Sequence, residues 1–134
     1  MTSEVSWVEK RLCGDGLPIV IDGGMGTELE TSGVPMDGKV WSARAIMSHP
    51  QVVRQVHERF IEAGAEVVIT NTFSTARHML EPGGLGGEVH KINAKAVSLA
   101  KQARDAVAQH PVAIVGSICE WTHDDDPTWN SPDA

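Results

Sequence analysis

Cysteine, aromatic residues and basic charge are all scarce in this sequence of 134 residues, and each shortage excludes a class of protein. The chain has two cysteines, two phenylalanines, no tyrosine and a formal net charge of -7. Cys13 and Cys119 are too few and too far apart for a disulfide framework, so a reducing cytoplasm is the expected location. The acidic balance excludes a non-specific nucleic-acid binder, because such binding depends on Lys and Arg at phosphates.

Long apolar runs are missing as well. No segment approaches the roughly 20 consecutive apolar residues that a membrane-spanning helix needs. The first ten residues include Glu4 and Glu9 and have no apolar centre, so we expect no secretory signal there. With 41% apolar and 22% charged residues, the composition is typical of a soluble globular domain, and neither a membrane nor a nucleic acid is an expected partner.

Short apolar segments alternate with amphipathic ones along the chain. The predicted strands are residues 18–22, 66–70 and 112–116. The clearest predicted helices are residues 3–13, 50–63 and 88–109, with a short one that Thr27 and Glu30 would cap near residues 27–32. Strands that are apolar throughout and alternate with helices indicate a parallel sheet covered on both faces. Either a doubly wound sheet or part of a (β/α)8 barrel fits this order.

Polar or glycine-rich segments follow all three predicted strands. They are residues 22–27, with three glycines after Asp22, residues 70–73, and residues 117–120. Since the carboxyl ends of parallel strands meet at one rim, we expect a ligand site there. Backbone N–H groups in the glycine segment can bind a carboxylate, and Asp22 can accept from an ammonium group, which would suit the two ends of an amino acid. A tight turn in which Asp22 only binds local N–H groups explains the segment equally well.

Other chemistries fit the sequence poorly. The glycine segment is not a dinucleotide fingerprint, because Leu29 stands where the third glycine belongs, and no Walker A motif is present. The six histidines form no HExxH or HxH motif, and His57 is expected to be a half-buried, hydrogen-bonded histidine. A metal site formed by Cys119, His123 and the acidic residues 124–126 is less plausible than a solvated loop.

An ordered set of motifs closely resembles the homocysteine S-methyltransferase family. The set comprises residues 22–29, 41–43, 63–65, 70–73, 92–97 and 116–118 and extends over nearly the whole chain. The resemblance implies a (β/α)8 barrel that binds homocysteine at its carboxyl rim, with a zinc ion on three cysteines that stabilises the substrate thiolate. The thiolate then attacks a methyl group on a sulfonium, a quaternary ammonium or a methylated cofactor.

The same resemblance assigns roles to residues of this chain. It implies that Asp22, Gly23 and Gly24 hold the amino-acid end of homocysteine and that Asn71 and Thr72 line the pocket. Ser117 and Glu120 would lie on the side of the methyl donor, although the family often has Gly-Pro where Cys119 and Glu120 stand here. The zinc cysteines of the family lie in later segments that this chain does not contain, and neither cysteine here matches a ligand position, so no metal ligands are assigned.

These observations lead to a set of expectations. Residues 1–134 form the N-terminal part of a homocysteine-binding barrel, with about three βα units, parallel strands and a polar tail at 122–134. The chain is expected to be truncated, because Ser131, Pro132 and Asp133 are typical of a helix start. It would then be inactive alone as a methyltransferase. The alternatives are a non-catalytic half-barrel that associates with itself through its open sheet edge, and a phosphate-binding enzyme on a doubly wound sheet.

Overall fold

The chain folds into a helix-rich α/β structure around a small parallel sheet. The computed structural model describes residues 6–14 and 16–119. The helices are α1 (Ser6–Cys13), α2 (Met25–Thr31), α3 (Ala45–Ser48), α4 (Pro50–Glu62), α5 (Arg77–Leu80) and α6 (Val89–Val107). The strands are β1 (Val67–Ile69) and β2 (Ala113–Val115), and single 3-10 turns cover Ser42–Arg44, Glu81–Gly83 and Gly86–Glu88.

The sheet is parallel, as the alternation of apolar and amphipathic segments predicts. β1 pairs with β2 in parallel, with Val68 opposite Ile114. Ile21 forms an isolated parallel bridge to Val67, and the Asp22 N–H donates to the Val67 carbonyl at 3.0 Å. The predicted first strand is therefore only a bridge: it contacts β1 through the Ile21–Val67 pair and through the Val20 carbonyl, which accepts from the N–H groups of Glu66 and Val67 at 2.7 and 3.2 Å.

The helices bury one face of the sheet. Val68 and Ile114 lie opposite each other on the two strands and point towards α4 and α6. They join a cluster with Ile61, Ala100 and Ala103. A larger cluster lies among α2, α3, α4 and α6; its members include Leu29, Ile46, Val53, Val56, Leu80, Ile92 and Leu99. Phe60 packs against both clusters and so joins the sheet to the helical layer.

Apolar side chains remain exposed on the other side of the sheet. Ile21 is 59% exposed and Val115 is 38% exposed, while Ile118, just beyond β2, is 94% exposed. The expectation of a sheet covered on both faces is met in part for the described residues: α4 and α6 cover one face, and on the other face Val67 and Ala113 are buried whereas Ile21 and Val115 are exposed.

Helix ends show where sequence patterns succeed and fail. Pro50 opens α4 at the predicted start of the helix at residues 50–63, and a 3-10 turn at Ser42–Arg44 followed by α3 precedes it. The predicted capping box is wrong: α2 begins at Met25 with Gly24 as its N-cap, so Thr27 already lies inside the first turn. In the described part of the chain, no helix combines the length and apolarity that crossing a membrane demands.

Candidate functional site

A cavity of about 280 Å³ opens at the carboxyl rim of the sheet. The segments that follow all three predicted strands contribute to its walls. Its lining residues are Gly23, Gly24, Met25, Gly26, Thr27, Trp41, Ser42, Ile69, Thr70, Asn71, Phe73 and Ser117. The parallel sheet therefore brings together segments that lie up to 94 positions apart (117 − 23) in the sequence. We call this space the rim cavity.

Asp22 lies directly before the glycines of the rim cavity and is buried, with 9% of its surface exposed. Its Oδ2 accepts a hydrogen bond from the Ile69 N–H at 2.9 Å, whereas its Oδ1 has no partner among the described residues. Burial raises the pKa of the Asp22 carboxyl from 3.8 to about 6, although the bond from Ile69 lowers it. The local turn thus satisfies one oxygen and leaves the other buried without a described partner, and Asp22 itself is not among the residues that line the rim cavity.

The two predicted glycines, Gly23 and Gly24, both line the rim cavity, for different reasons. A Cβ on Gly23 would lie 2.9 Å from Cε1 of Phe60, so only glycine fits against α4 without a shift of the ring. A Cβ on Gly24 would have Thr27 Oγ1 as its nearest neighbour, at 3.6 Å, which is ordinary contact. Gly23 is therefore required by packing, and Gly24 is simply the first residue before α2.

Asn71 lines the rim cavity, and both its amide oxygen and its amide nitrogen bond to Ser42. Its Oδ1 accepts from the Ser42 hydroxyl at 2.8 Å, and its Nδ2 donates to the Ser42 carbonyl at 3.0 Å. Both side chains are buried. This reciprocal pair fixes the segment after β1 against the turn at Ser42–Arg44, and a direct contact of Asn71 with a ligand stays a prediction.

Thr72 links two of the rim segments. Its hydroxyl donates to the Ser117 carbonyl and accepts from the Ser117 N–H, both at 3.0 Å. Thr72 is not among the residues that line the rim cavity, whereas Ser117 is. Thr72 therefore acts on the cavity by holding Ser117 in place. A direct part of Thr72 in lining the pocket stays a prediction. Glu120, the last predicted site residue, lies outside the described residues.

Trp41 and Phe73 form an aromatic wall of the rim cavity, which is one of the two roles, core packing or pocket wall, that the sequence suggests for them. Their rings meet edge to face, with centroids 6.1 Å apart. The sequence suggests Trp41 only as a packing residue or pocket wall, and the structure makes it a wall. The role of Ser42 was missed, because a bond to a residue 29 positions later leaves no local signal.

The described residues do not offer a zinc site. No group of three or more His, Cys, Asp or Glu side chains within residues 6–14 and 16–119 is close enough to hold a metal ion. Cys13 lies exposed at the end of α1, and Cys119 follows β2. His57 is fully buried, and neither ring nitrogen has a described hydrogen-bond partner, so the expectation of a half-buried, bonded histidine is wrong.

This fold and cavity define an α/β protein with a small-molecule site at the carboxyl ends of its parallel strands. The family model described as homocysteine S-methyltransferase matches residues 19–128. The chain therefore belongs to the homocysteine S-methyltransferase family.

Individual relatives agree with this assignment. Homocysteine S-methyltransferase 2 from Zea mays is 32% identical over 123 residues, which cover 84% of this chain and 35% of that protein. The selenocysteine methyltransferase of Astragalus bisulcatus is 34% identical over 122 residues, covering 77% of this chain and 36% of that protein. The chain thus spans about a third of the length of these curated relatives.

A solved structure has the same fold. The metallated form of the homocysteine methyltransferase MmuM from Escherichia coli superposes with a TM-score of 0.73 and 28% sequence identity. The match covers 87% of this chain and 41% of that one. This similarity supports the parallel arrangement of the three rim segments.

Proposed function

We propose that this chain supplies the homocysteine-binding part of a homocysteine S-methyltransferase. In this reaction the homocysteine sulfur, as a thiolate, forms a bond to a methyl carbon while the bond from that carbon to a sulfonium or similar donor breaks, and methionine results. The observation that carries the proposal is the rim cavity with the half-satisfied carboxyl of Asp22 beside its glycines. Family membership supplies the substrate class.

The geometry suits the amino-acid end of homocysteine. An ammonium group can donate to the Oδ1 of Asp22, because that buried oxygen has no described partner. The Gly23 and Gly24 backbone lets a ligand approach closely, since no side chain stands between it and the cavity. The aromatic wall of Trp41 and Phe73 gives the apolar part of the ligand a surface to cover.

We further propose that the three βα units are part of a (β/α)8 barrel in the whole protein. The similarity to MmuM and the parallel pairing of β1 with β2 support this. We also propose a cytoplasmic location, on the basis of the two isolated cysteines.

Zinc activates the substrate thiol in the family by stabilising the thiolate. The described residues do not fit such an ion, as they contain no suitable ligand group. The role proposed for this chain is therefore limited to binding and orienting the amino-acid end of the substrate.

A binding titration tests the proposal. Homocysteine added to the 15N-labelled chain should shift the amide resonances of residues 22–27 and 70–73, with methionine and cysteine as related ligands and alanine as a control. Asp22→Asn should weaken binding, because an amide cannot offer the second carboxylate oxygen. Shifts confined to other parts of the chain, or no shifts at all, would remove the homocysteine site.

We propose self-association as a second candidate function, because apolar side chains of the sheet remain exposed. Ile21, Val115 and Ile118 lie at or beside the open edges of the sheet. Parallel sheets are found almost only with both faces covered, so these side chains would gain from contact with a second copy.

Light scattering decides this second candidate. The wild-type chain should form a dimer or larger species, and Ile118→Lys combined with Ile21→Lys should restore a monomer. Leu12→Lys is a matched control, since Leu12 is also exposed, at 73%, but lies on α1. A wild-type chain that is monomeric at high concentration would end this candidate.

A further inference from the structure

Trp41 has a backbone conformation that is costly for a tryptophan. Its φ is 47°, and it is the one non-glycine residue with positive φ in the described ranges, 6–14 and 16–119. A bulky side chain in this region costs about 1–3 kcal/mol and persists only where the surroundings hold it. Something in the fold must therefore hold the backbone of Trp41.

Asp37 is the centre of the contacts that hold it. The Trp41 N–H donates to the Asp37 carbonyl at 2.8 Å, and the two residues form an antiparallel bridge. The Asp37 Oδ1 accepts from the N–H groups of Lys39 at 2.8 Å and Val40 at 3.1 Å. One carboxylate oxygen thus ties down both residues that immediately precede Trp41.

Arg44 anchors the other carboxylate oxygen. Its Nε donates to the Asp37 Oδ2, and its Nη2 donates to the Gly83 carbonyl at 3.3 Å. The turn at residues 37–41 is thereby joined to the segment after α5, so it cannot move without breaking a charge-assisted bond. We call residues 37–41 with Arg44 the Asp37 turn.

The conformation that the Asp37 turn imposes sends the indole into the site. A Cβ placed on Gly26 would lie 2.9 Å from Cζ2 of Trp41, so the ring lies directly against the start of α2. Trp41 and Phe73 also line a second cavity, of about 260 Å³, with Val40, Ser74 and Met79. The indole is therefore a wall shared by two cavities, and its placement sets the size of the rim cavity.

We propose that Asp37 is a positioning residue for the substrate site: its turn holds Trp41 in the positive-φ conformation that makes the indole a wall of the rim cavity. This inference rests on the proposed function for the identity of the ligand. Asp37 does not touch the rim cavity and acts through Trp41.

Two measurements on the full chain test the proposal. The first is the nuclear Overhauser effect between the Trp41 ring and the Gly26 amide, which needs no ligand. It should be lost in Asp37→Ala and only reduced in Asp37→Asn, whose amide oxygen still accepts from Lys39 and Val40 but whose amide nitrogen cannot accept from Arg44. Asp105→Ala is the matched control, since Asp105 is an exposed carboxylate on α6 that pairs with Arg104. An undisturbed effect in Asp37→Ala overturns the proposal.

The second measurement separates positioning from general stability. Asp37→Ala should weaken homocysteine binding about fivefold in the wild-type background, on the scale of one lost hydrogen bond. In a Trp41→Ala background the same change should have no further effect. An equal loss in both backgrounds would show that Asp37 does not act through Trp41.

Two complications have defined answers. If Asp37→Ala does not fold, Arg44→Gln removes one anchor of the turn and should reduce the Trp41–Gly26 effect, and full retention there counts against the proposal. If the wild-type chain binds no homocysteine, the proposed function fails, and the ring-to-amide effect alone decides the role of Asp37.

Discussion

At the scale of single residues, the buried carboxyl of Asp22 links the fold to ligand binding. Its half-satisfied state is unfavourable in the absence of a ligand, because burial opposes its charge. An ammonium group at Oδ1 would provide the missing partner. An aspartate at position 22 of the sequence suggests this role, but only the tertiary structure shows which of its oxygens accepts the hydrogen bond from the Ile69 N–H.

We expect homocysteine binding to weaken as the pH falls through about 6. That value is the raised pKa of Asp22, and protonation below it removes the charge that would attract the ammonium group. Affinity measured by calorimetry between about pH 7.5 and pH 5 should drop in the wild-type chain. Asp22→Asn should bind weakly with little pH dependence, and an unchanged wild-type affinity across this window would contradict the assignment.

Without ligand, the contribution of Asp22 to the stability of the folded chain should decrease as the pH rises, whereas the affinity for homocysteine should increase. Since the folded pKa of Asp22 lies above its usual 3.8, the protonated form favours folding, and this contribution is lost as the pH rises through about 6. Asp22→Asn should therefore stabilise the chain by about 1–3 kcal/mol near neutral pH and much less below about pH 4. Urea denaturation at the two pH values provides the check.

At the scale of elements, the start of α2 is placed by its fit against α4. Gly23 faces the ring of Phe60, and Gly26 faces the ring of Trp41. The sequence indicates a turn rich in glycine, but it does not reveal which glycine is needed for packing. That distinction depends on side chains that arrive from positions 15 and 37 residues later (41 − 26 and 60 − 23).

Gly23→Ala should destabilise the chain by about 1–3 kcal/mol, because the added methyl group overlaps the ring of Phe60. Thermal or urea denaturation measures the change. The control is Gly24→Ala, whose Cβ would make only ordinary contact with Thr27, so its cost should stay within about 1 kcal/mol. Equal effects of the two substitutions would mean that the contact with α4 is unimportant.

His57 is the least expected feature of α4. It lies fully buried among apolar residues of that helix, and burial lowers its pKa from 6.5 to about 4. The apolar stripe of α4 predicted from the sequence includes Val53 and Val56, which are buried as expected. The sequence could not show that His57 would be fully buried without a described partner, since that depends on tertiary packing.

We expect His57 to make the chain sensitive to acid. Because its folded pKa lies below the unfolded value of 6.5, its contribution to stability is complete above about pH 6.5 and is lost as the pH falls towards 4. The loss is at most about 3 kcal/mol. His57→Leu should remove this part of the pH dependence in urea denaturation, whereas His90→Leu, at an exposed position on α6, should not. Identical pH profiles for wild type and His57→Leu would contradict the prediction.

At the scale of the whole molecule, the chain provides one side of a site. In the proposed function its rim cavity binds the amino-acid end of a substrate, whereas the described residues include no group of three or more His, Cys, Asp or Glu side chains that could hold a metal ion. The match to about a third of each relative is consistent with a division of the site along the chain.

We expect the purified chain of 134 residues to retain no stoichiometric zinc and to transfer no methyl group to homocysteine. The reason is that no group of three or more His, Cys, Asp or Glu side chains in residues 6–14 and 16–119 is placed to hold a metal ion. Metal analysis together with a methyl-transfer assay using a sulfonium donor provides the measurement, with the full-length maize relative as a positive control. Sustained turnover by the chain alone would refute this prediction.

The sequence by itself determined the order of elements, the parallel sheet and the family. These follow from local patterns. The apolar runs at residues 66–70 and 112–116 appear as β1 and β2, and the amphipathic segment at residues 88–109 appears as α6, with ends shifted by one or two residues. Only the tertiary structure decided that residues 18–22 form a bridge instead of a full strand and that Asp37 holds Trp41 at the rim. The physical reason is range: periodicity records which face of an element is apolar, whereas strand pairing, backbone strain and buried hydrogen bonds depend on residues brought together from distant parts of the chain.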